Sequence, residues 1–179
     1  MIRLGLVVNP DAGLGGKLGL KGSDGKANLA RSMGADDRSG PRIMTFLNYF
    51  SSLHKSDSID ISWITSEGRM GTEWIPREIN LGDIKIIHES HGETSSNDTK
   101  EVIKKIIDYG VDLIVYAGGD GTTRDIVAEL TKLDKPKLPL IGVPTGVKMY
   151  SGSFAASPKA AAEVLSAWIR GDLLVASTE

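Results

Sequence analysis

The chain contains no cysteine, which excludes disulfides, thiol nucleophiles and thiolate metal sites. Histidine is almost as scarce, with three copies at 54, 88 and 91. His88-x-x-His91 is the one close pair, and it ends a strand instead of lining a helix, so no metal centre is expected from it. Neither sign of charge dominates: Lys and Arg total 21, Asp and Glu 23, for a net charge of −2 and a pI near 5.9. That balance offers no electrostatic footprint for nucleic acid or an anionic membrane. No stretch approaches the ~20 apolar residues of a membrane span. The opening MIRLGLVVNP enters a strand at once, which argues against a signal peptide. The expectation is a soluble, cytoplasmic protein with no nucleic-acid and no membrane partner.

What is plentiful is glycine, 21 of 179 residues, above the typical ~7%. The surplus gathers in a few loops and forms no repeat. Otherwise 40% hydrophobic and 25% charged residues are ordinary for a globular protein. The length suits one well-buried domain, or one domain with part of a second.

Strand and helix patterns alternate along the chain. Strands are expected at 2–9, 59–65, 83–90, 111–117, 138–143 and, beginning again, 172–178. Of these, 111–117 (VDLIVYA) is the continuous apolar run of a strand buried on both faces. Helices are expected at 43–55, 95–110, 122–133 and 157–171, with a shorter one near 26–33 and another over 71–80 that Pro76 would break or kink. In the 95–110 helix Val102, Ile103, Ile106 and Ile107 share a face, and Gly110 stops it. Ser157 and Pro158 open the last helix, and Gly171 follows its end. The pattern implies an α/β fold, an open, mostly parallel sheet with helices on both faces. In such sheets ligands bind beyond the carboxyl ends of the strands.

Three strands end in loops of unusual composition. The first, NPDAGLGG (9–16), places Asn9, Gly13, Gly15 and Gly16 after the opening strand; a turn or a phosphate contact would each account for that spacing. The second, GGDGT (118–122), is more specific. Gly118, Gly119 and Gly121 allow backbone N–H groups to face a phosphate, and the helix opening at Thr122 adds its dipole to an anion site. Asp120 would repel phosphate, so its roles are to orient Mg²⁺ or to take a proton from a hydroxyl attacking phosphorus, unless it merely caps the helix. The third, GVPTGVKMYSGS (142–153), offers a turn at Pro144 and Gly146, a hydroxyl at Thr145 and a cation at Lys148, which is either an anion ligand or a solvated surface lysine.

The loops match neither the P-loop GxxxxGK[ST] nor the dinucleotide fingerprint GxGxxG with an acid ~20 residues on. Residue chemistry alone therefore reaches a phosphorylated or nucleotide ligand, with phosphoryl transfer as one use of it.

At these residues the sequence resembles the NAD kinase family, within the wider group of diacylglycerol-kinase-like and phosphofructokinase-like enzymes. GGDGT (118–122) is the hallmark of that group. NPDAGLGG, GLKGSDG (19–25), GRMG (68–71), NDT (97–99), VDLIVYAGGDGTTRDI (111–126) and GVPTGVKMYSGSFA (142–155) run in the order of a divergent archaeal and bacterial branch of predicted ATP- or polyphosphate-dependent NAD kinases. The resemblance implies an NAD kinase/diacylglycerol kinase-like N-terminal domain. It implies transfer of phosphate from ATP or polyphosphate, with Mg²⁺ or another divalent cation, to the 2′-hydroxyl of NAD. Asp120 would be the base; Asn9, Gly13, Gly15, Gly16, Gly118, Gly119, Gly121, Thr122, Thr145, Gly146 and Lys148 would hold the phosphates; a homo-oligomer is expected. Lys21 and Asp24 would be polar groups near the substrate. The family's Asn-Glu pair, which grips the substrate ribose in a following β-rich domain, has no counterpart here. Residues 1–171 are accordingly expected to be the nucleotide-binding domain of a longer enzyme, and 172–179 the start of the β-rich one. A lipid or other small-alcohol kinase of the same group, or a non-catalytic nucleotide-binding module, are the alternatives.

Overall fold

A computed structural model of the chain describes residues 1–14, 36–55, 60–89, 95–146 and 149–176. Five strands, β1 (Ile2–Val8), β2 (Ile61–Ser66), β3 (Asp83–His88), β4 (Leu113–Gly118) and β5 (Leu140–Pro144), form one sheet in the order β3-β2-β1-β4-β5. Every pairing is parallel. Among the described residues four helices accompany them: α1 (Ser39–Leu53), α2 (Ser96–Tyr109), α3 (Asp120–Lys132) and α4 (Pro158–Ile169).

The register explains the two-layer core. Leu4 lies beside both Trp63 and Leu113, and Val7 beside Tyr116, so alternate residues of neighbouring strands line up on one face. One face carries Leu4, Leu6, Trp63 and Val115 and buries them under Ile43, Phe46 and Phe50 of α1 and Ala161 and Leu165 of α4. The other carries Val7, Ile64, Ile114 and Tyr116 under α2 and α3. The four apolar residues expected on one side of α2 are all in this second cluster. Because both faces are covered, β4 is buried at all six residues, as a continuous apolar run requires.

Two expected elements differ. The 71–80 helix is replaced by short 3₁₀ turns at Gly68–Met70 and Thr72–Trp74. Ile75 is extended, at φ −85° and ψ 115°, because the ring of Pro76 disfavours a helical residue before it. Trp74 then donates its Nε1–H to the Arg69 carbonyl at 2.7 Å and lays its ring on Gly40, where a Cβ would stand 2.2 Å from ring atoms. The strand expected at 172–178 is also absent over its described part: residues 172–176 form no strand, and Leu174 is 98% exposed. With no neighbour to take its ladder hydrogen bonds, an apolar run has no reason to be a strand. The expected short helix near 26–33 lies outside the described residues. Among those described, no helix is long and apolar enough to cross a membrane.

Candidate functional site

The chain builds β1, β2 and β3 outward in one direction, then returns to the other side of β1 to place β4 and β5. The reversal lies between β1 and β4, the place at whose carboxyl ends open sheets of this kind form a ligand-binding crevice. Val8 pairs with Ala117 there. The Asn9 amide extends the ladder by donating to the Ala117 carbonyl at 2.9 Å. The first two glycine loops thus leave the sheet side by side, and the third leaves it next door, since Gly118 pairs with Pro144.

Side chains fasten the loops together. Asn9 Nδ2 donates to Thr122 Oγ1 at 2.9 Å, while its Oδ1 accepts the Asp11 amide at 3.1 Å. Thr145 Oγ1 donates to the Gly118 carbonyl at 2.7 Å, and both threonines are buried. These two residues therefore act on the protein's own loops. Gly13 has a positive φ of 84°, and a Cβ on it would stand 2.8 Å from the Thr145 carbonyl oxygen. Gly118 has no room either, for a Cβ would meet the Thr122 side chain at 2.4 Å. The glycines at 119, 121 and 146 differ: a Cβ on any of them would meet nothing within 4 Å, and none has a positive φ. Among the described residues nothing crowds these three positions. A bare backbone there suits the close approach of a ligand, and 119 and 121 flank the first residue of α3, where helix amides lack intrahelical acceptors. Gly15, Gly16, Lys148, Lys21 and Asp24 lie outside the described residues.

Asp120 is that first helical residue, and the N-cap is Gly119. Its carboxylate reaches across to the third loop. Oδ1 accepts the Tyr150 and Ser151 amides at 3.1 and 3.0 Å, and Oδ2 accepts the Tyr150 amide at 3.1 Å. The N-cap position thus belongs to Gly119 and not to Asp120. Among the described residues Oδ2 shares one donor, which leaves it lone-pair capacity for a hydroxyl.

Beneath this contact lies a polar network that the sequence reading did not identify. The buried Tyr116 hydroxyl is hydrogen-bonded to Thr123 Oγ1 at 2.5 Å and to Ser153 Oγ at 2.7 Å. Ser153 Oγ is in turn 2.9 Å from Ser151 Oγ. Burial pushes the Tyr116 phenol above its ordinary value, the nearby charge of Asp120 adds to the rise, and the Ser153 and Thr123 hydrogen bonds oppose it. The phenol therefore stays protonated across the physiological range. Its one signal in the sequence is a polar atom carried into the otherwise apolar strand LIVYAG.

His88 belongs to a separate group at the end of β3, with Nδ1 2.9 Å from Lys105 Nζ and 3.8 Å from Glu101 Oε1. Among the described residues, no three His, Asp or Glu gather to hold a metal.

The model of the ATP-NAD kinase N-terminal domain matches residues 4–173. No curated protein matches the chain.

Proposed function

Since the chain belongs to the ATP-NAD kinase family, matching its N-terminal domain over residues 4–173, we propose that the crevice between β1 and β4 transfers phosphate to the 2′-hydroxyl of NAD, with ATP or polyphosphate as donor. One observation carries the placement of the chemistry. Asp120, the only carboxylate in GGDGT, stands between Gly119 and Gly121, where a Cβ would meet nothing within 4 Å among the described residues. The backbone at 119, 121 and 146 receives phosphate oxygens, with the α3 dipole favouring their charge. Asp120 takes the proton as the ribose oxygen bonds to phosphorus and the bond from phosphorus to the donor's bridging oxygen breaks. A divalent cation, when bound, neutralises charge on the phosphates. Asp120 would meet it with a carboxylate oxygen.

The test is Asp120→Asn, assayed for NADP formation from NAD, Mg²⁺ and ATP or polyphosphate, with a lipid panel as alternative acceptors. Loss of the general base is expected to lower turnover by ~10²–10⁴ while the protein stays folded. Near-normal turnover would remove Asp120 from the chemistry, and phosphorylation of lipid in place of NAD would reassign the acceptor.

A further inference from the structure

We propose that Tyr116, acting through Ser153, positions Asp120: it holds the 150–153 turn so that the turn's amides fix the catalytic carboxylate. The inference rests on the kinase reading above. It starts from the way the turn is attached. The segment after β5 loops round to run parallel beside that strand at Gly142 and Phe154, with the Gly142 amide donating to the Ser153 carbonyl at 2.7 Å and the Ala155 amide donating to the Gly142 carbonyl at 3.0 Å. Phe154 packs its ring 5.5 Å from that of Tyr116. Gly142 has no side chain because Phe154 and the Tyr116 hydroxyl fill the place of its Cβ, at 2.5 and 2.9 Å.

These contacts anchor Ser153, and the Tyr116–Ser153–Ser151 hydroxyl relay carries the order two residues further, to the amides that grip Asp120. Tyr116 also holds Thr123 at the first turn of α3, the helix that Asp120 begins. One buried hydroxyl thus joins both partners of the Asp120 contact. Tyr150 itself is 84% exposed, so its side chain does not secure the turn from outside. A carboxylate that must meet one hydroxyl needs its rotamer fixed, and misplacement of about 1 Å can cost ~10² in rate.

Tyr116→Phe keeps the ring and its packing and removes the relay. Two measurements decide the matter. Amide exchange followed by NMR should show Tyr150 and Ser151 losing protection, by about tenfold or more, with the core strands unchanged. NADP formation should lose roughly 10- to 100-fold in kcat with KM for NAD within about twofold, and the same substitution added to Asp120→Asn should lower kcat no further. Ser153→Ala, at a partly exposed residue, should reproduce both effects if Tyr116→Phe folds poorly. Unchanged exchange at Tyr150 and Ser151 in both variants overturns the inference even if activity falls. So does loosened exchange with unaltered kcat, or a full further loss of rate on top of Asp120→Asn. Failure of the kinase reading is separate: it would appear as absent NADP formation by the parent protein, in which case the positioning role falls with it.

Discussion

Neighbouring glycines in one loop have different causes. At 118 the chain is tight: a Cβ would stand 2.4 Å from Thr122, whose Oγ1 accepts from Asn9. At 119 the Cβ would enter open space, and φ is −114°, a value that any residue adopts. Gly118→Ala should therefore destabilise the fold by about 1–3 kcal/mol, as overpacking does, and lower the denaturant midpoint. Gly119→Ala should leave the midpoint within about 0.5 kcal/mol of the parent yet weaken ATP binding by calorimetry at least tenfold. Equal affinity in Gly119→Ala would mean that no ligand phosphate lies against that backbone. Composition made the cluster visible, but it could not sort the two glycines. The sorting depends on what stands opposite each Cα, and a linear sequence does not contain that.

Most of the secondary structure was legible, because hydrophobic period and end signals agree with the tertiary fold. The four apolar residues of α2 and its Gly110 stop, at φ 87°, are examples. The start of α2 is also local in origin. Asp98 Oδ2 accepts both the backbone amide and the hydroxyl of Ser95, at 2.7 and 2.6 Å, in the manner of a capping box. Those two hydrogen bonds hold the Asp98 carboxyl below its ordinary value. The folded protein therefore binds that proton more weakly than the unfolded chain does. The resulting stability is present above the ordinary carboxylate value of ~3.9 and disappears as pH falls through the lower folded value. Asp98→Ala should cost about 0.5–1 kcal/mol near neutrality, as lost caps do, with the gap from the parent narrowing in melting curves as pH falls below the ordinary carboxylate value of ~3.9 and through the lower folded one. A gap that persists there would assign the loss to packing. The element that misled, 71–80, failed for a non-local reason as well as for Pro76: Trp74 finds its place on Gly40 of α1, 34 positions earlier in the chain.

At the scale of the molecule, the site exists because topology brings distant loops to one crevice. Asn9 and Thr122 are 113 positions apart, Thr145 and Gly118 are 27 apart, and Ser151 and Asp120 are 31 apart. The sequence identified the three loops but not these fastenings, since residue type does not say which partner a hydroxyl will find. Asn9, Thr122 and Thr145 were expected to touch phosphate; in the structure their side chains also fasten the loops to one another. Thr145 shows how this joins stability to binding. Its hydroxyl serves the Gly118 carbonyl from a fully buried position, and Gly146, the open glycine of the third loop, follows it directly. Thr145→Val keeps the shape and removes the donor, leaving a buried carbonyl without that partner. The free protein should lose about 1–3 kcal/mol. If phosphate bridges loops two and three, ATP affinity should fall as well, since the ligand must then hold together what the threonine no longer does. Saturating ATP, at about 100 times Kd, should stabilise the parent by ~2.7 kcal/mol, and the variant by less at the same ligand concentration. Thermal shift with and without ATP reads both quantities in one experiment. A variant that is destabilised when free but gains as much from ATP as the parent does would show that the ligand sits on the α3 loop alone, with Gly146 outside its site.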